Sequence, residues 1–539
     1  MNRRSFFKRT GYPGGSTTRN LQSGLTAYSG NWTSNEVRHL LKRTLFGAKK
    51  SDGDYFLSLS CNDSVNELLN TVATVSPPVR EYGLLTDATG SFDDPGVVVG
   101  QTWINDFNKL PDPGMRSLVN RARIDSLRNW WCGIMLNQSR SIGEKMLLFL
   151  HHHFSVQREE VDNSTHLYRH HELLRNNVLG NIKELTKKIT TDPAMLIHLN
   201  GYLNSKRAPD ENYARELQEL FTVGKGNDSL YTESDVIEAA KVLTGWRIDG
   251  DTMTSYLDTE KHDTSSKSFS SFYNGTTING NSNGLQEVDQ FIEMIFSTTE
   301  CARYICRKLY RWFVYYQIDE DTETAVILPL ADILKNNNYE LKPVLEALFK
   351  SEHFFDRMNQ ACQVKSPIDF IVGAMRELNI SYAPYTDYVN GYPLFQKIYS
   401  KAAEMQQDLF QPPDVSGWSS YYQDPMFYEL WVNSNTLPKR ASFTDKLIAD
   451  NLVNLKLFAD QSSDPANPDQ LINDISGIML RYPLSDNGKT YVKNNFLLNH
   501  TNDNNVWTTI WNANDLTVIN SSVGSMLKFI MNLPEYHLC

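Results

Sequence analysis

The sequence predicts a mainly α protein: one large, bundle-like multi-helix domain with a small β-hairpin and loop insertion and a mixed C-terminal extension. Two observations carry this. Apolar residues recur at helical spacing through most of the chain from 33 to 440, and many of those stretches open on a capping residue or close on glycine. Strand-like alternation is concentrated in short runs within the Ser-, Thr- and Asn-rich stretch 246–290.

Residues 1–32 read as a flexible segment rich in Gly, Ser and Thr. Its start, N-R-R-S-F-F-K at 2–8, looks like the twin-arginine export consensus, with Arg3 and Arg4 as the pair. The apolar stretch of roughly 7–15 residues that a working signal needs does not follow. A degenerate signal and a basic arm therefore both stand, and a periplasmic or extracellular location is expected without excluding the cytoplasm.

The domain proper is read as 33–440. Thr33 and Glu36 form a capping box, Val37, Leu40, Leu41 and Leu45 make one helical face, and Gly47 ends it. A short helix at 63–73 is followed by an irregular connection, 76–115, of a length that often marks function. Helices are expected at 116–137, at 141–154 behind a Ser141–Glu144 box, and at 165–179. The segment 209–224 is bracketed by Pro209 and Gly224, and 232–243 opens on a Thr232–Asp235 box. After the insertion at 246–290, helical signals resume through 409. The extension, 441–539, reads as mixed, with a strand at 506–511 and a helix near 523–532.

With 539 residues, 40% hydrophobic and 21% charged, the composition is that of an ordinary folded protein of two to four domains, or one large helical domain with insertions. The net charge of −11 argues against non-specific nucleic-acid binding, while leaving room for a local basic patch. No apolar run is long enough to span a bilayer. Six cysteines are too few for a disulfide scaffold. P-loop, G-x-G-x-x-G, G-x-S-x-G and C-x-x-C patterns are absent, so nucleotide chemistry and the serine-hydrolase elbow lack support.

Seven of the twelve histidines fall between 151 and 198. His151 and His153, in L-H-H-H-F, are plausible metal ligands only if the helix ends there, because neighbours on a helix point about 100° apart. The alternative is core packing of one ring and solvation of the others. His166 and His170, at i and i+4, read as an exposed polar face. Glu211, Arg215 and Glu219 suit ion pairs along one face, which leaves Glu216 on the adjacent face, pointing inward towards the histidines. Glu233 and Asp235 sit in a helix's first turn, where negative charge is favourable anyway. His262 and Asp263 form an acid/base or ligand pair on a loop. In Q-Q-D-L-F-Q-P-P-D-V-S-G-W at 406–418, Pro412, Pro413 and Gly417 force a bent path, and Trp418 caps a cavity or packs inward.

Taken in order, several segments resemble one bacterial family, the domain of unknown function 1800 (DUF1800). They include V-R-H-L-L-K-R-T-L-F-G at 37–47, L-F-L-H-H-H-F at 148–154, P-D-E-N-Y-A-R-E-L-Q-E-L-F-T-V-G at 209–224, H-D at 262–263, V-K-S-P-I-D-F at 364–370 and D-V-S-G-W at 414–418. The resemblance implies a large helical, often exported protein, frequently encoded beside a protein resembling alkaline phosphatases and sulfatases. It also implies that His151, His153, His262 and Asp263 match the family's histidines and His–Asp pair. His152 stands where the family has Asn. It transfers no proven catalyst.

Two functions follow as expectations. The first is an exported enzyme, a hydrolase of an extracellular polymer or ester, with Glu211, Arg215, Glu233 and Asp263 in catalysis. A divalent metal on His151, His153, Glu216 and His262 would polarise the substrate or activate water. The second is a non-catalytic cell-envelope binding or assembly protein, whose polar motifs are a structural network and whose aromatic residues meet a glycan or an envelope protein. Convergence of the four ligands on one open cavity would favour the first.

Overall fold

Helices supply nearly all regular structure, because the apolar stripes along the chain meet one another in a continuous core. The computed structural model describes residues 24–539 except 71, 88–89, 108, 227, 419–430 and 499. The twin-arginine-like start, with Arg3 and Arg4, lies outside the described residues.

The long helix Pro113–Leu136 starts on Asp112, whose side chain caps Met115 N–H, and runs against helix Tyr388–Glu404. Gly133 makes that contact close, since a Cβ there would strike the Phe395 ring. Five segments position the cavity described below. They are helices Ser34–Thr44, Gly143–His153, Thr299–Phe313 and Pro367–Glu377, and the short helix Asn212–Glu216 with its continuation Leu217–Thr222. That continuation is a π-helical turn, a wider winding frequently found at functional sites.

The boxes at Thr33–Glu36 and Thr232–Asp235 are both formed. The box at Ser141–Glu144 is not. Ser141 Oγ accepts only from Gly143 N–H, while Glu144 is buried and binds Arg175 and the indole N–H of Trp131 (3.0 Å). A charged partner in the core outcompetes a local cap.

The insertion holds two small antiparallel pairs, Trp246–Asp249 with Thr254–Leu257 and Lys267–Ser268 with Thr277–Ile278. The connection at 76–115 includes one further pair, Leu85–Asp87 with Gly90–Phe92. It is pinned by the buried Arg123, which binds Asp94 (3.0 Å) and Asp106 (2.8 Å).

Two expectations fail. Residues 506–511 belong to helix Asn504–Asn512, capped by Asp503, because Val506, Trp507, Ile510 and Trp511 make a helical stripe that packs Trp507 into the core. The end of the segment read as flexible is tied down: Tyr28 N–H donates to Lys350 O (2.7 Å) and Glu352 N–H to Thr26 O (2.7 Å). The extension returns to the main body at its far end, where Lys365 N–H donates to His537 O (2.9 Å) and Val364 pairs with Leu538.

Candidate functional site

One cavity of about 360 Å³, the size of a small-ligand pocket, opens between these elements. Helix Gly143–His153 gives it Lys145, Phe149 and His152, spaced i, i+4 and i+7 and so on one face. Helix Thr299–Phe313 gives Tyr304, Lys308, Arg311 and Trp312 by the same logic. The π-helical turn turns Glu219 and Leu220 inward. Ser416 and Trp418 close one side, and the strand-like end at 363–366 another.

Charge is the outstanding property of the lining. Among the described residues, six basic side chains (Lys42, Arg43, Lys145, Lys225, Lys308 and Arg311) face two acidic ones, Glu219 and Asp369. Both acids are already engaged, Glu219 by Lys225 at 3.2 Å and Asp369 by Lys145. Lys42 is neutralised outside the lining by Glu377 (2.6 Å). Among the described residues, neither Lys308 nor Arg311 forms a salt bridge. Burial, reinforced by Arg311, pulls the Lys308 ammonium down to about 8. Burial also lowers the Arg311 guanidinium. Retaining cations without counter-ions is costly, and such cost concentrates at sites that receive a ligand.

The aromatic wall is ordered around His152. Its ring lies between those of Trp312 (5.7 Å) and Trp418 (6.1 Å), near parallel to both. Burial, with Lys308 adding to it, pulls His152 down to about 3 and keeps it neutral. Gly417, at φ +88°, lets the bend come this close, because a Cβ would collide with the His152 ring.

The four ligands read from the sequence are not brought together, which corrects the metal assignment. Among the described residues no group of three or more His, Cys, Asp or Glu is placed to hold a metal ion. His151 is wholly buried against Trp131, Phe410 and Trp418, and its Nε2 accepts Phe410 N–H at 3.2 Å. His153 donates from Nε2 to Phe221 O (3.0 Å). His262 lies in the insertion, where Nδ1 is hydrogen-bonded to Thr244 O (2.9 Å) and Nε2 to Glu287 (3.1 Å), so both ring nitrogens are occupied. Glu216 is half-buried, with its carboxyl raised by burial and by Glu219, and does not line the cavity.

The residues read as catalytic fall into two other places. Arg215 joins Glu211 (3.0 Å) and, more loosely, Glu219 (3.7 Å), the helix-face ion pairs that the spacing also allowed, and binds the exposed Glu233 of a second helix, with Glu211 half-buried. Asp263 bonds Ser265 and sits beside Lys267, which is paired with Glu287 (2.6 Å). His166 and His170 are not an exposed face. Both are buried, and His170 binds Asp192 (2.9 Å) and Phe154 O (3.0 Å).

Sequence reasoning missed His152, Lys308, Arg311 and Trp312. The first was visible as the middle of three histidines, in line with Lys145 and Phe149. The others form a basic and aromatic stripe at i, i+3 and i+4. Trp418, read as capping a cavity or packing inward, is buried and lines the cavity.

Segments that carried the family resemblance, far apart in sequence, thus meet at this cavity: those at 37–47, 148–154, 209–224, 364–370 and 414–418. The model of a family described as protein of unknown function (DUF1800) matches residues 39–538, taking in most of the C-terminal extension. No curated protein and no solved structure matches the chain. With the family model spanning nearly its whole length, the chain belongs to the DUF1800 family.

Proposed function

We propose that this chain is a binding protein for a small organic anion with a flat or ring-shaped apolar body. The observation that carries the proposal is the six-to-two excess of basic side chains among the described lining residues of a ligand-sized cavity, in a protein whose net charge is −11. An acidic molecule with a locally positive, low-dielectric cavity focuses its field on an anion entering that cavity. Phe149, Tyr304, Trp312 and Trp418 offer apolar faces for the rest of the ligand, and Lys308 with Arg311 offers charge-assisted hydrogen bonds to its head group.

Of the two functions expected from the sequence, this supports binding over metal-dependent hydrolysis, because among the described residues His151, His153, Glu216 and His262 are not gathered into a group that could hold a metal ion. An envelope location goes with it only through the N-R-R-S-F-F-K start, and cell fractionation tests that separately. The binding proposal is tested by thermal shift with benzoate, phenyl phosphate and phenyl sulfate against neutral benzyl alcohol. At least one anion is expected to raise Tm while the alcohol does not. Equal responses would overturn it.

A further inference from the structure

We infer that Lys308 is a nucleophile that captures a carbonyl-bearing organic anion as an imine, while Arg311 holds the acidic group of that anion. The inference rests on the anion-binding reading above and adds the chemical class of the ligand.

Lys308 and Arg311 are three residues apart on helix Thr299–Phe313, so they stand side by side on the face that lines the cavity. Among the described residues, the amine of Lys308 meets no carboxylate in a salt bridge. From its own helix it meets the Tyr304 ring, at 5.4 Å, and Arg311. From helix Gly143–His153 the neutral His152 faces it. The carboxylates in the lining are committed elsewhere, Glu219 to Lys225 and Asp369 to Lys145. A desolvated lysine beside a second cation is an established way to make an amine nucleophilic. Burial and Arg311 pull Lys308 to about 8, so an appreciable fraction of it is free amine near neutral pH.

An anchor needed only for charge is better served by arginine, which does not lose its proton. This cavity pairs one group that stays charged with one that gives its proton up. A 2-oxo acid presents the matching pair, a carboxylate and an adjacent carbonyl carbon. In the step, the Nζ–C bond forms and the carbonyl oxygen leaves as water with two of the ammonium hydrogens. Ammonium plus ketone gives protonated imine plus water, so atoms and charge balance without an oxidant or reductant.

The test uses the full chain with benzoylformate, a 2-oxo acid with an aromatic ring, and with mandelate, its hydroxy counterpart. Cyanoborohydride supplies the hydride that fixes an imine as a secondary amine, and peptide mapping by mass spectrometry locates it. The adduct is expected on Lys308 at least tenfold above any other lysine, with a rate rising from pH 6 to pH 8. It is expected to be absent in K308R, at least tenfold weaker in R311M, and suppressed by mandelate, which itself leaves no adduct. If both acids raise Tm but Lys308 is not labelled above other lysines, the imine is overturned and anion binding stands. If neither acid nor any other anion of the panel raises Tm and no adduct forms, both fall. The wild-type peptide map decides the matter even if a variant fails to fold.

Discussion

The backbone N–H of Trp418 donates to Nδ1 of His152 at 3.2 Å. That one bond joins the bent segment 406–418 to the end of helix Gly143–His153 and sets the ring's tautomer, with the proton on Nε2. It also stacks the ring between two tryptophans at the cavity wall.

Gly417 is what permits this approach. Gly417→Ala forces a side chain into the His152 ring at a left-handed backbone position. The expected cost is about 1–3 kcal/mol of stability, with loss of ligand binding as the corner lifts. Urea unfolding and the thermal-shift panel measure the two effects. An unchanged midpoint would show that the corner is not held as described.

Acid should destabilise the fold before carboxylates titrate. Burial holds His166 and His198 down at about 4 and His537 at about 3, and pulls His39, His151, His153 and His171 well below the usual range. Between those values and about 6.5 the unfolded chain binds more protons than the folded one, so stability falls as pH falls through 6.5. Each such imidazole costs about 2 kcal/mol at pH 5. Glu81, pushed up to about 7 by burial, works in the opposite direction, as do Glu216, Glu300 and Asp162, also raised by burial, but these acids are outnumbered by the histidines. Urea midpoints at pH 7.5 and pH 5 should differ strongly. Equal midpoints would contradict neutral burial of the histidines.

The insertion is fastened by His262, Glu287 and Lys267, all fully buried. Glu287→Ala strands a buried lysine and should cost about 3–5 kcal/mol, with earlier proteolysis inside 246–290. A chelator should leave the wild-type midpoint where it is, because both nitrogens of His262 are occupied, by Thr244 O and by Glu287. A midpoint that drops with chelator would restore His262 as a metal ligand.

Glu233 belongs to an exposed cluster around Arg215 rather than to the cavity. Glu233→Gln should therefore change neither the unfolding midpoint nor the response to anions, since ion pairs in water contribute little. A loss of anion response in this variant would return the cluster to the site.

The helical body was legible because its signals are local. The Thr33–Glu36 and Thr232–Asp235 boxes each sit within one turn and form as read. Ser141–Glu144 has the same pattern and fails, because Arg175, thirty-one residues away, claims the carboxylate. The site was legible in its segments but not in its side chains. The histidine cluster marks the right helix end, yet His151 and His153 lie one step either side of the cavity-facing residue. Lys308 and Arg311 carry no local signal of their own, because only the fold brings them to a cavity where, among the described residues, neither forms a salt bridge.

Calorimetric titration of phenyl phosphate into the wild type, R311M and E233Q tests the central claim most directly. The account predicts one site per chain, an affinity roughly tenfold or more weaker in R311M, and no change in E233Q. Equal affinity in wild type and R311M, or equally tight binding of benzyl alcohol, would contradict it.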